Sequence, residues 1–390
     1  MPDLIANKGN ALALIGTFIF QKLGDKTFWQ KLPQSSHLKK FDAAYLQERF
    51  SHNAYKGTNG LQNNGLASHF LALLKGVPTA EGWQQLEPLL LSTETNQSSD
   101  YLKRINSTDH LLMQVKGAHV NWPLSKSILH ENVYFYPPLA KEQKRRLIPL
   151  EVVFRFGIVE GSSLKNKLEN NPGYAAQLGL KSSPKINEWL PNPVLEFFTK
   201  LEPKDRPLSW QEAATIANLT AEQFEQLVEL SLATALGLHA LFAEHKLELW
   251  DGKLEFVFAS SSTNKEDWQL LLADSVGPDE LRLIYKGVQL SKEMLRLYYR
   301  HSAWFKSLAQ AQNIASKNGQ ENWQEICQQQ LNQSPQTLGS NIKIVADQLY
   351  GVIANELLDY PVFSSHPNLE TFTTSVKNTL QLYNKEPINA

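Results

Sequence analysis

Residues 245–259 read HKLELWDGKLEFVFA, and this stretch indicates how the middle of the chain folds. Two runs of alternating apolar and polar residues flank Asp251-Gly252, and an Asp-Gly pair supplies the positive φ angles of a two-residue hairpin turn. The stretch therefore predicts a β-hairpin in which Glu248 lies opposite Glu255. One face of this hairpin would be apolar, and the other would present Lys246, Glu248 and Glu255.

The facing carboxylates of Glu248 and Glu255 are the first candidates for chemistry. Two like charges placed directly opposite each other on paired strands repel. A divalent cation would remove that repulsion, because Mg²⁺ binds one or two carboxylates together with substrate phosphates. The alternative is that Lys246, Glu248 and Glu255 form the solvated face of an amphipathic hairpin.

Two helix starts precede the predicted hairpin. SWQE at residues 209–212 and TAEQ at residues 220–223 each match the capping box, in which a Ser or Thr and a Glu or Gln three residues later satisfy each other's backbone N–H groups. Thr220 is therefore expected to open a long helix that runs to about Leu241.

The other apolar runs indicate an α+β fold. Buried strands are expected at residues 11–20, 110–122 and 147–157, and a helix at residues 66–79. From residue 290 three helical stretches follow, and the last thirty residues are expected to form a loosely packed tail. Strands and helices alternate without the regular order of a parallel βαβ fold, which favours the α+β class.

Composition excludes several classes of function. The chain has 390 residues with 38 Lys and Arg against 39 Asp and Glu, so it has no electrostatic footprint for nucleic acid or an anionic membrane. Residues 11–20 are too few to span a bilayer and lack a cleavage pattern. A single cysteine, Cys327, excludes an internal disulfide and a CxxC metal site, and it fits a reducing, cytoplasmic location.

A second acidic cluster follows the predicted hairpin. An apolar run delivers Asp274 at the end of a strand, and Asp279 and Arg282 lie three residues apart, so they could face a common ligand on one helical turn. The alternative is that Asp279 caps a helix and Arg282 is an incidental surface residue.

Arg155 lies inside an otherwise apolar run and is followed by the turn Gly161-Ser162-Ser163. A buried arginine needs an anion, and the backbone N–H groups of such a turn bind phosphate. The alternative is an internal salt bridge, for example with Glu151. The common nucleotide, zinc and serine-hydrolase motifs GxxxxGK[ST], GxGxxG, HExxH and GxSxG do not occur.

Taken together and in this order, these segments resemble the SAICAR synthetase (phosphoribosylaminoimidazole-succinocarboxamide synthase) family. LEVVFRFGIVEGSSL at 150–164 is similar to the family's E-C-V-V-R-N-x-A-x-G-S-L, and DSVGPDELR at 274–282 to D-E-x-S-P-D-x-x-R. FAEHKLELW at 242–250 is matched to V-D-x-K-x-E-F-G, with Glu244 for the aspartate. LSKEMLR at 290–296 resembles L-D-K-D-x-x-R, and residues 60–79 resemble K-G-x-V-N-N with its following helix.

The resemblance implies an ATP-dependent ligase of purine biosynthesis. Its substrates would be small molecules: ATP, carboxyaminoimidazole ribotide and L-aspartate, joined through an acyl phosphate, with Mg²⁺ as cofactor. Lys246, Glu248 and Asp274 would be catalytic, with Glu248 and Asp274 holding Mg²⁺ and the ATP phosphates. Further residues would bind the ribotide, its phosphate or its carboxylate: Arg155, Ser162, Ser163, Glu244, Asp279 and Arg282.

Departures from the family pattern leave two other functions open. The family's N-terminal G-K-x-K-x-V strand has no clean counterpart, and Lys26 is the nearest candidate for its ATP-binding lysines. Ser275 replaces an acidic residue of the family. Arg206 replaces one member of a histidine-aspartate pair, and Ser291 replaces an aspartate. The alternatives are a ligase of the same fold with other substrates, and a binding protein without catalysis.

The resemblance also implies an architecture. We expect a β-rich ATP-binding lobe at residues 1–147, with an insertion at about 80–140, and a larger α+β lobe at residues 148–358 that carries the metal and ribotide groups. The cleft between them would hold the site, and residues 359–390 would form the tail. A homo-oligomer of unspecified order is implied as well.

Overall fold

The computed structural model of the chain describes residues 4–51, 60–92, 99–128, 131–137, 144–260, 268–300, 302–318 and 322–385. Helices and strands are mixed, so the α+β prediction is confirmed. FSHNAYKG at residues 50–57 stands in the approximate place of the family's S-A-G-D or S-A-F-D loop, which is missing, and SSSTNKED at residues 260–267 resembles an insertion; both segments fall almost entirely outside the described residues.

The helices of the described chain are α1 (Lys8–Gly24), α2 (Lys26–Lys31), α3 (Ala43–Ser51), α4 (Leu61–Asn64), α5 (Ser163–Asn170), α6 (Tyr174–Gln177), α7 (Trp210–Ala217), α8 (Ala221–Glu244), α9 (Glu293–Tyr299), α10 (Ala303–Lys317), α11 (Trp323–Glu325), α12 (Ser340–Leu358) and α13 (Leu369–Lys385). Short 3₁₀ turns lie at Leu32–Gln34, Ser36–Leu38 and Ser99–Arg104, and a π-helical turn at Ile326–Gln330.

The strands are β1 (Phe70–Thr79), β2 (Gly82–Leu91), β3 (His110–Val115), β4 (Leu124–Ile128), β5 (Glu131–Phe135), β6 (Arg145–Leu147), β7 (Leu150–Ile158), β8 (Glu188–Thr199), β9 (Pro207–Leu208), β10 (Glu248–Ser260), β11 (Trp268–Ala273), β12 (Leu281–Tyr285) and β13 (Val288–Gln289). β1, β2 and β3 form a three-stranded sheet in the order β2-β1-β3, and β4 pairs with β5.

An eight-stranded antiparallel sheet forms the centre of the molecule, and β10 is its longest strand. The first half of β10 pairs with β7 on one side and β12 on the other. Its second half pairs with β6 and β11. Four strands therefore align their side chains against this one strand.

The predicted hairpin at Asp251-Gly252 is wrong, because both residues lie inside β10. The two alternating runs pair with β7 and β12 rather than with each other. Gly252 serves close packing instead of a turn, since a Cβ at this position would lie 2.4 Å from Leu281 Cδ2 and 2.7 Å from Phe154 Cζ. An Asp-Gly pair in a strand can thus mark a close approach of neighbouring side chains.

The inner face of the sheet packs on α8. This helix begins with the predicted capping box, in which Thr220 and Gln223 bond each other's backbone N–H groups, and the box at Ser209 and Glu212 opens α7 in the same way. α8 is long and apolar enough to cross a membrane, but 83% of its apolar window is buried inside the molecule. It is therefore the core helix of the fold.

Two local predictions in the N-terminal part are wrong. Residues 11–20 belong to α1, because their buried residues recur at helical spacing, as at Ala11, Ile15 and Ile19. Residues 70–79 form β1 instead of a helix, since β2 and β3 supply a pairing partner on each side. The strands predicted within 110–122 and 147–157 are confirmed by β3 and β7.

The expected loose tail is also wrong. It contains α13, which packs along α12 and buries Leu369, Phe372 and Val376. The helical prediction for the region after residue 290 is confirmed by α9, α10 and α12.

Candidate active site

The outer face of the central sheet is charged. Because side chains alternate along a strand, Asp251, Lys253 and Glu255 of β10 point to this face, while Leu254 and Phe256 are buried against the core. Neighbouring strands and turns add charged groups beside them. We call the following set the charged face: Glu151, Arg155, Glu196, Lys200, Asp251, Lys253, Glu255, Asp274, Glu280 and Arg282.

One end of the charged face is an arginine site built around Asp251. Arg155 lies opposite Asp251 in the β7–β10 register, and its Nη1 is 3.2 Å from Asp251 Oδ2. Arg282 of β12 donates to the same oxygen from 2.7 Å. Arg155 also bonds Glu196, which the side chains of Lys167 and Tyr174 contact from the other side. These carboxylates raise the pKa of Arg155, although burial opposes its charge.

The turn after β7 closes over the arginine site. Arg155 donates to Ser162 Oγ at 3.3 Å and to Ser163 Oγ at 3.0 Å, and Arg282 donates to the carbonyl of Gly161 at 3.3 Å. Gly161 has φ +82°, which favours glycine, and a Cβ there would lie 2.5 Å from Glu293 Oε1. The structure thus brings together the predicted Arg155, Ser162, Ser163 and Arg282.

The other end of the charged face holds a carboxylate pair, Glu255 and Asp274. Glu255 lies opposite Ala273 in the β10–β11 register. Asp274 is the residue after Ala273, so its side chain reaches Glu255, and the two carboxyl groups share a hydrogen bond. Burial and this hydrogen bond raise the pKa of Glu255. Burial also opposes ionisation of Asp274, but the hydrogen bonds from Glu255 and the Ser275 N–H lower its pKa.

Two lysines flank the carboxylate pair. Lys253 Nζ lies 2.8 Å from Glu151, 3.0 Å from Glu255 and 3.3 Å from Glu280. Lys200 Nζ lies 2.5 Å from Glu255. Burial disfavours the charge of Lys253, but the surrounding carboxylates outweigh it and raise its pKa.

The carboxylate pair fits a divalent cation that also binds phosphate. No group of three or more His, Cys, Asp and Glu side chains with metal-binding geometry occurs in the described part of the chain. Mg²⁺ needs fewer protein ligands than that when substrate phosphates complete its shell. Two neighbouring carboxylates are hard oxygen donors of the kind that would hold such a cation together with substrate phosphates.

The structure does not bring Glu244, Lys246 and Glu248 together with the other predicted site residues. Glu244 and Lys246 line a separate cavity of about 400 Å³, and Lys246 is exposed and pairs with Glu356 at 3.7 Å. Glu248 accepts a hydrogen bond from Trp250 Nε1 at 3.0 Å. It is seven residues from Glu255 along β10, roughly 23 Å at about 3.3 Å per residue, so it cannot share a cation with Asp274.

The sequence contained a signal for the residues that the structure places on the charged face. DGKLEF at residues 251–256 keeps the D, K, E and F of the pattern V-D-x-K-x-E-F-G, whereas FAEHKLELW keeps only K and E. The turn predicted at Asp251-Gly252 gave Asp251 and Lys253 no predicted role in the site. Glu196 and Lys200, which lie on and just after β8, were not among the predicted site residues.

Two further predicted residues lie away from the charged face. Asp279 accepts a hydrogen bond from Tyr350 at 2.5 Å and forms an ion pair with Lys8 at 2.7 Å. It therefore does not face a common ligand with Arg282. The reason is that β12 begins at Leu281, where a helical turn was expected. Lys26 is exposed at the start of α2 and contributes nothing to the two ends described above.

Comparisons with known proteins agree with the resemblance seen in the sequence. The model of the SAICAR synthetase family matches residues 105–311. A protein of Archaeoglobus fulgidus, provisionally named phosphoribosylaminoimidazole-succinocarboxamide synthase, is 25% identical over 98% of this chain and 89% of its own length. The Thermoplasma acidophilum phosphoribosylaminoimidazole-succinocarboxamide synthase is 31% identical over 43% of this chain and 57% of its own length.

Solved structures are similar at a low level. A SAICAR synthase aligns over 92% of this chain and 84% of its own with 17% identity and a TM-score of 0.44. A SAICAR synthetase in complex with ADP aligns over 50% of this chain and 68% of its own with 22% identity and a TM-score of 0.31. The family model covers more than half of the chain. The chain therefore belongs to the SAICAR synthetase family, whose members are ATP-dependent ligases of purine biosynthesis.

Proposed function

We propose that this chain joins the carboxylate of carboxyaminoimidazole ribotide to the amino group of L-aspartate, forming SAICAR, ADP and phosphate. The observation that supports this most directly is the order of groups along β10. Asp251 belongs to the arginine site and Glu255 to the carboxylate pair, and four residues of strand, about 13 Å, separate them. One rigid strand thus offers an anion site and a cation site at a distance suited to two neighbouring substrates.

The carboxylate pair and its lysines suit the nucleotide. Glu255 and Asp274 would hold Mg²⁺ together with the ATP phosphates, in place of the pair Glu248 and Asp274 expected at first. Bound Mg²⁺ would offset the negative charge that builds up during phosphoryl transfer. Lys253 and Lys200 lie close enough to Glu255 to reach the same phosphates.

The arginine site suits the ribotide. Arg155 and Arg282 present guanidinium groups, and Ser162 and Ser163 present hydroxyl groups, on one side of Asp251. Arginine binds phosphate and carboxylate through two parallel N–H donors, and Asp251 fixes the orientation of both arginines. We assign this site to the ribotide phosphate or its carboxylate.

The chemistry follows from the poor reactivity of a carboxylate. The ribotide carboxylate oxygen attacks the γ-phosphorus of ATP, and ADP leaves. The neutral amine of aspartate then attacks the carbonyl carbon of the acyl phosphate and loses a proton to solvent. An amide bond forms, and the single bond between that carbon and the phosphoryl oxygen breaks, with its electron pair leaving on phosphate. The chain's own part is to hold both reactants in line and to stabilise the transferred negative charge.

We also place the protein in the cytoplasm, in line with its biosynthetic family. Its one cysteine, Cys327, is buried and free of a disulfide. A homo-oligomer stays a prediction.

ADP release by the purified protein tests the proposal. ATP, Mg²⁺, carboxyaminoimidazole ribotide and aspartate are supplied together and then omitted one at a time. Release that requires all four supports the proposal. Binding of ATP without release would favour a ligase with other substrates, and absence of both would favour a binding protein without catalysis.

A further inference from the structure

The cavity that contains Glu244 and Lys246 is not used by the proposed reaction. It has a volume of about 400 Å³. Its wall is built by α1, by Leu90 of β2 and the turn at Ser99–Arg104, and by the ends of α8 and α12. Among the described residues that line it, none belongs to the charged face. The cavity is therefore a second place for a ligand, apart from the candidate active site.

Three helices end at this cavity. α8 ends at Glu244 and α12 at Leu358, and both residues line it. The last turn of α1 contributes Gln21 and Lys22. The C-terminal end of a helix carries a partial negative charge, because its last carbonyl groups have no partner within the helix. Three such ends around one cavity favour a positively charged ligand.

The carboxylates at the rim of the cavity add to this negative charge. Glu356 is matched by Lys246, whose Nζ lies 3.7 Å from its Oε1. Glu244 and Asp359 are exposed, and within the described residues their carboxylates form no ion pair and no hydrogen bond. Two negative charges are thus left for a ligand, and both are available from solvent.

The floor of the cavity is apolar. Leu90, Leu102 and Leu357 are buried there. Phe18 adds an aromatic ring, and Lys22 Nζ lies 5.6 Å from its centroid. An apolar floor below a negative rim fits a hydrocarbon chain that carries positive charge, because the chain leaves water while the charged groups stay at the rim.

Tyr101 is an independent indication of a ligand. It lines the cavity and is only 8% exposed, yet its hydroxyl has no hydrogen-bond partner within the described residues. A buried hydroxyl without a partner destabilises the folded protein. The oxygen is not sealed off, in contrast to the unpartnered hydroxyl of Thr17, so it opens into the cavity. It can accept a hydrogen bond there.

His245 supplies a second acceptor. Its Nδ1 lies 2.9 Å from the backbone carbonyl of Glu356, so Nδ1 carries the hydrogen of the neutral ring. The ring packs edge-on against Phe18, with centroids 5.8 Å apart. Nε2 is then left as an acceptor on a residue that lines the cavity. Acceptors inside and carboxylates at the rim form a set of groups that matches N–H donors.

We propose that this cavity binds a diamine or polyamine, with its ammonium groups at Glu244 and Asp359 and an N–H donor on the hydroxyl of Tyr101. The methylene chain would lie on the apolar floor. Binding is non-covalent and needs neither ATP nor ribotide, so the inference does not depend on the proposed function.

Calorimetric titration of spermidine into the full chain, without nucleotide, tests the inference. Spermidine should bind saturably, whereas hexanediol, which has a methylene chain but no positive charge, should not bind. The double variant Glu244→Gln, Asp359→Asn should weaken spermidine binding about 10-fold. Asparagine tolerates the left-handed backbone of residue 359, which has φ +47°. Tyr101→Phe removes only the hydroxyl and should also weaken binding about 10-fold.

Asp100→Asn is the matched control. It removes an exposed carboxylate next to Tyr101 that does not line the cavity, and it should leave the affinity within about twofold of wild type. Absence of saturable spermidine binding, or equal binding of hexanediol, would overturn the inference. Equal weakening in Asp100→Asn and the double variant would overturn it too, because general surface charge would then explain binding. Unchanged affinity in Tyr101→Phe would show that the ligand does not enter this cavity.

Discussion

Oδ2 of Asp251 lies 3.2 Å from Nη1 of Arg155 and 2.7 Å from Nη1 of Arg282, so one carboxylate oxygen joins two guanidinium groups. The three residues come from β7, β10 and β12, which are neighbours in the central sheet. All three side chains are largely buried. Two buried positive charges therefore share this carboxylate across three strands.

Asp251→Asn should destabilise the fold. The substitution keeps the shape but removes the negative charge, and loss of one partner from a buried ion pair typically costs about 3 to 5 kcal/mol. Urea unfolding would measure the free energy of unfolding. Asp100→Asn is the control, because the Asp100–Lys103 pair is exposed and should change stability by less than about 1 kcal/mol. Equal effects from the two substitutions would contradict the structural role of Asp251.

Glu255→Gln should reduce ADP formation about 100-fold or more, because one of the two proposed Mg²⁺ ligands loses its charge. Glu248→Gln should leave the rate within about threefold of wild type, since Glu248 is at the far end of the same strand. Steady-state ADP release measures both. A larger loss in Glu248→Gln than in Glu255→Gln would return the metal assignment to Glu248.

Gly161→Ala should impair both stability and ribotide affinity. The alanine Cβ would lie 2.5 Å from Glu293 Oε1, so the turn that carries Ser162 and Ser163 must shift. Gly287→Ala is the control, because Gly287 has a similar φ of +76° but nothing within 4 Å of the added Cβ. Both variants should lose about 1 to 2 kcal/mol of backbone stability in urea unfolding. Only Gly161→Ala should also raise the KM for the ribotide, and unchanged KM would contradict the assignment of this turn.

His239 should make the folded protein less stable as the pH falls below neutral. Burial, followed by the positive charge of Lys40, lowers the pKa of this histidine from 6.5 to about 3. The unfolded chain therefore takes up a proton near pH 6.5 while the folded chain does not, and the stability contributed by neutral His239 is lost between pH 6.5 and about 3. The slope is about 1.4 kcal/mol per pH unit, or about 2 kcal/mol between pH 6.5 and 5.

Urea unfolding at pH 7 and pH 5 measures this loss for the wild type and for His239→Asn, which keeps a donor for the Leu249 carbonyl. The variant should lose about 2 kcal/mol less than the wild type over this range. The comparison of slopes removes the contribution of the other titrating groups. Parallel slopes would show that His239 is not the source of the pH dependence.

Local hydrogen-bond chemistry made part of the fold predictable. The capping boxes at Ser209 and Thr220 were correct because a cap depends only on residues within one turn. Residues 70–79 and the Asp251-Gly252 pair were misread because their structure depends on partner strands far away in the sequence. Secondary structure that is decided by distant pairing cannot be read from a local pattern.

The candidate site was likewise predictable only where its residues lie close together in the sequence. Arg155, Ser162 and Ser163 lie within nine residues of each other, so the sequence showed them together. Glu196 joins them from β8, whose pairing with β7 is a property of the folded sheet. The carboxylate pair needs the β10–β11 register to bring Asp274 to Glu255, and that register is a property of the folded sheet.

The single strand β10 has a consequence for how the enzyme can move. Hinged enzymes bring their substrates together by closing one body over another, and the distance between the two binding groups then varies with the opening angle. Here Asp251 and Glu255 are joined by four covalent peptide units within one hydrogen-bonded strand. Motion elsewhere in the chain can admit or exclude solvent, but it leaves the separation between Asp251 and Glu255, and so between the proposed anion and cation sites, unchanged.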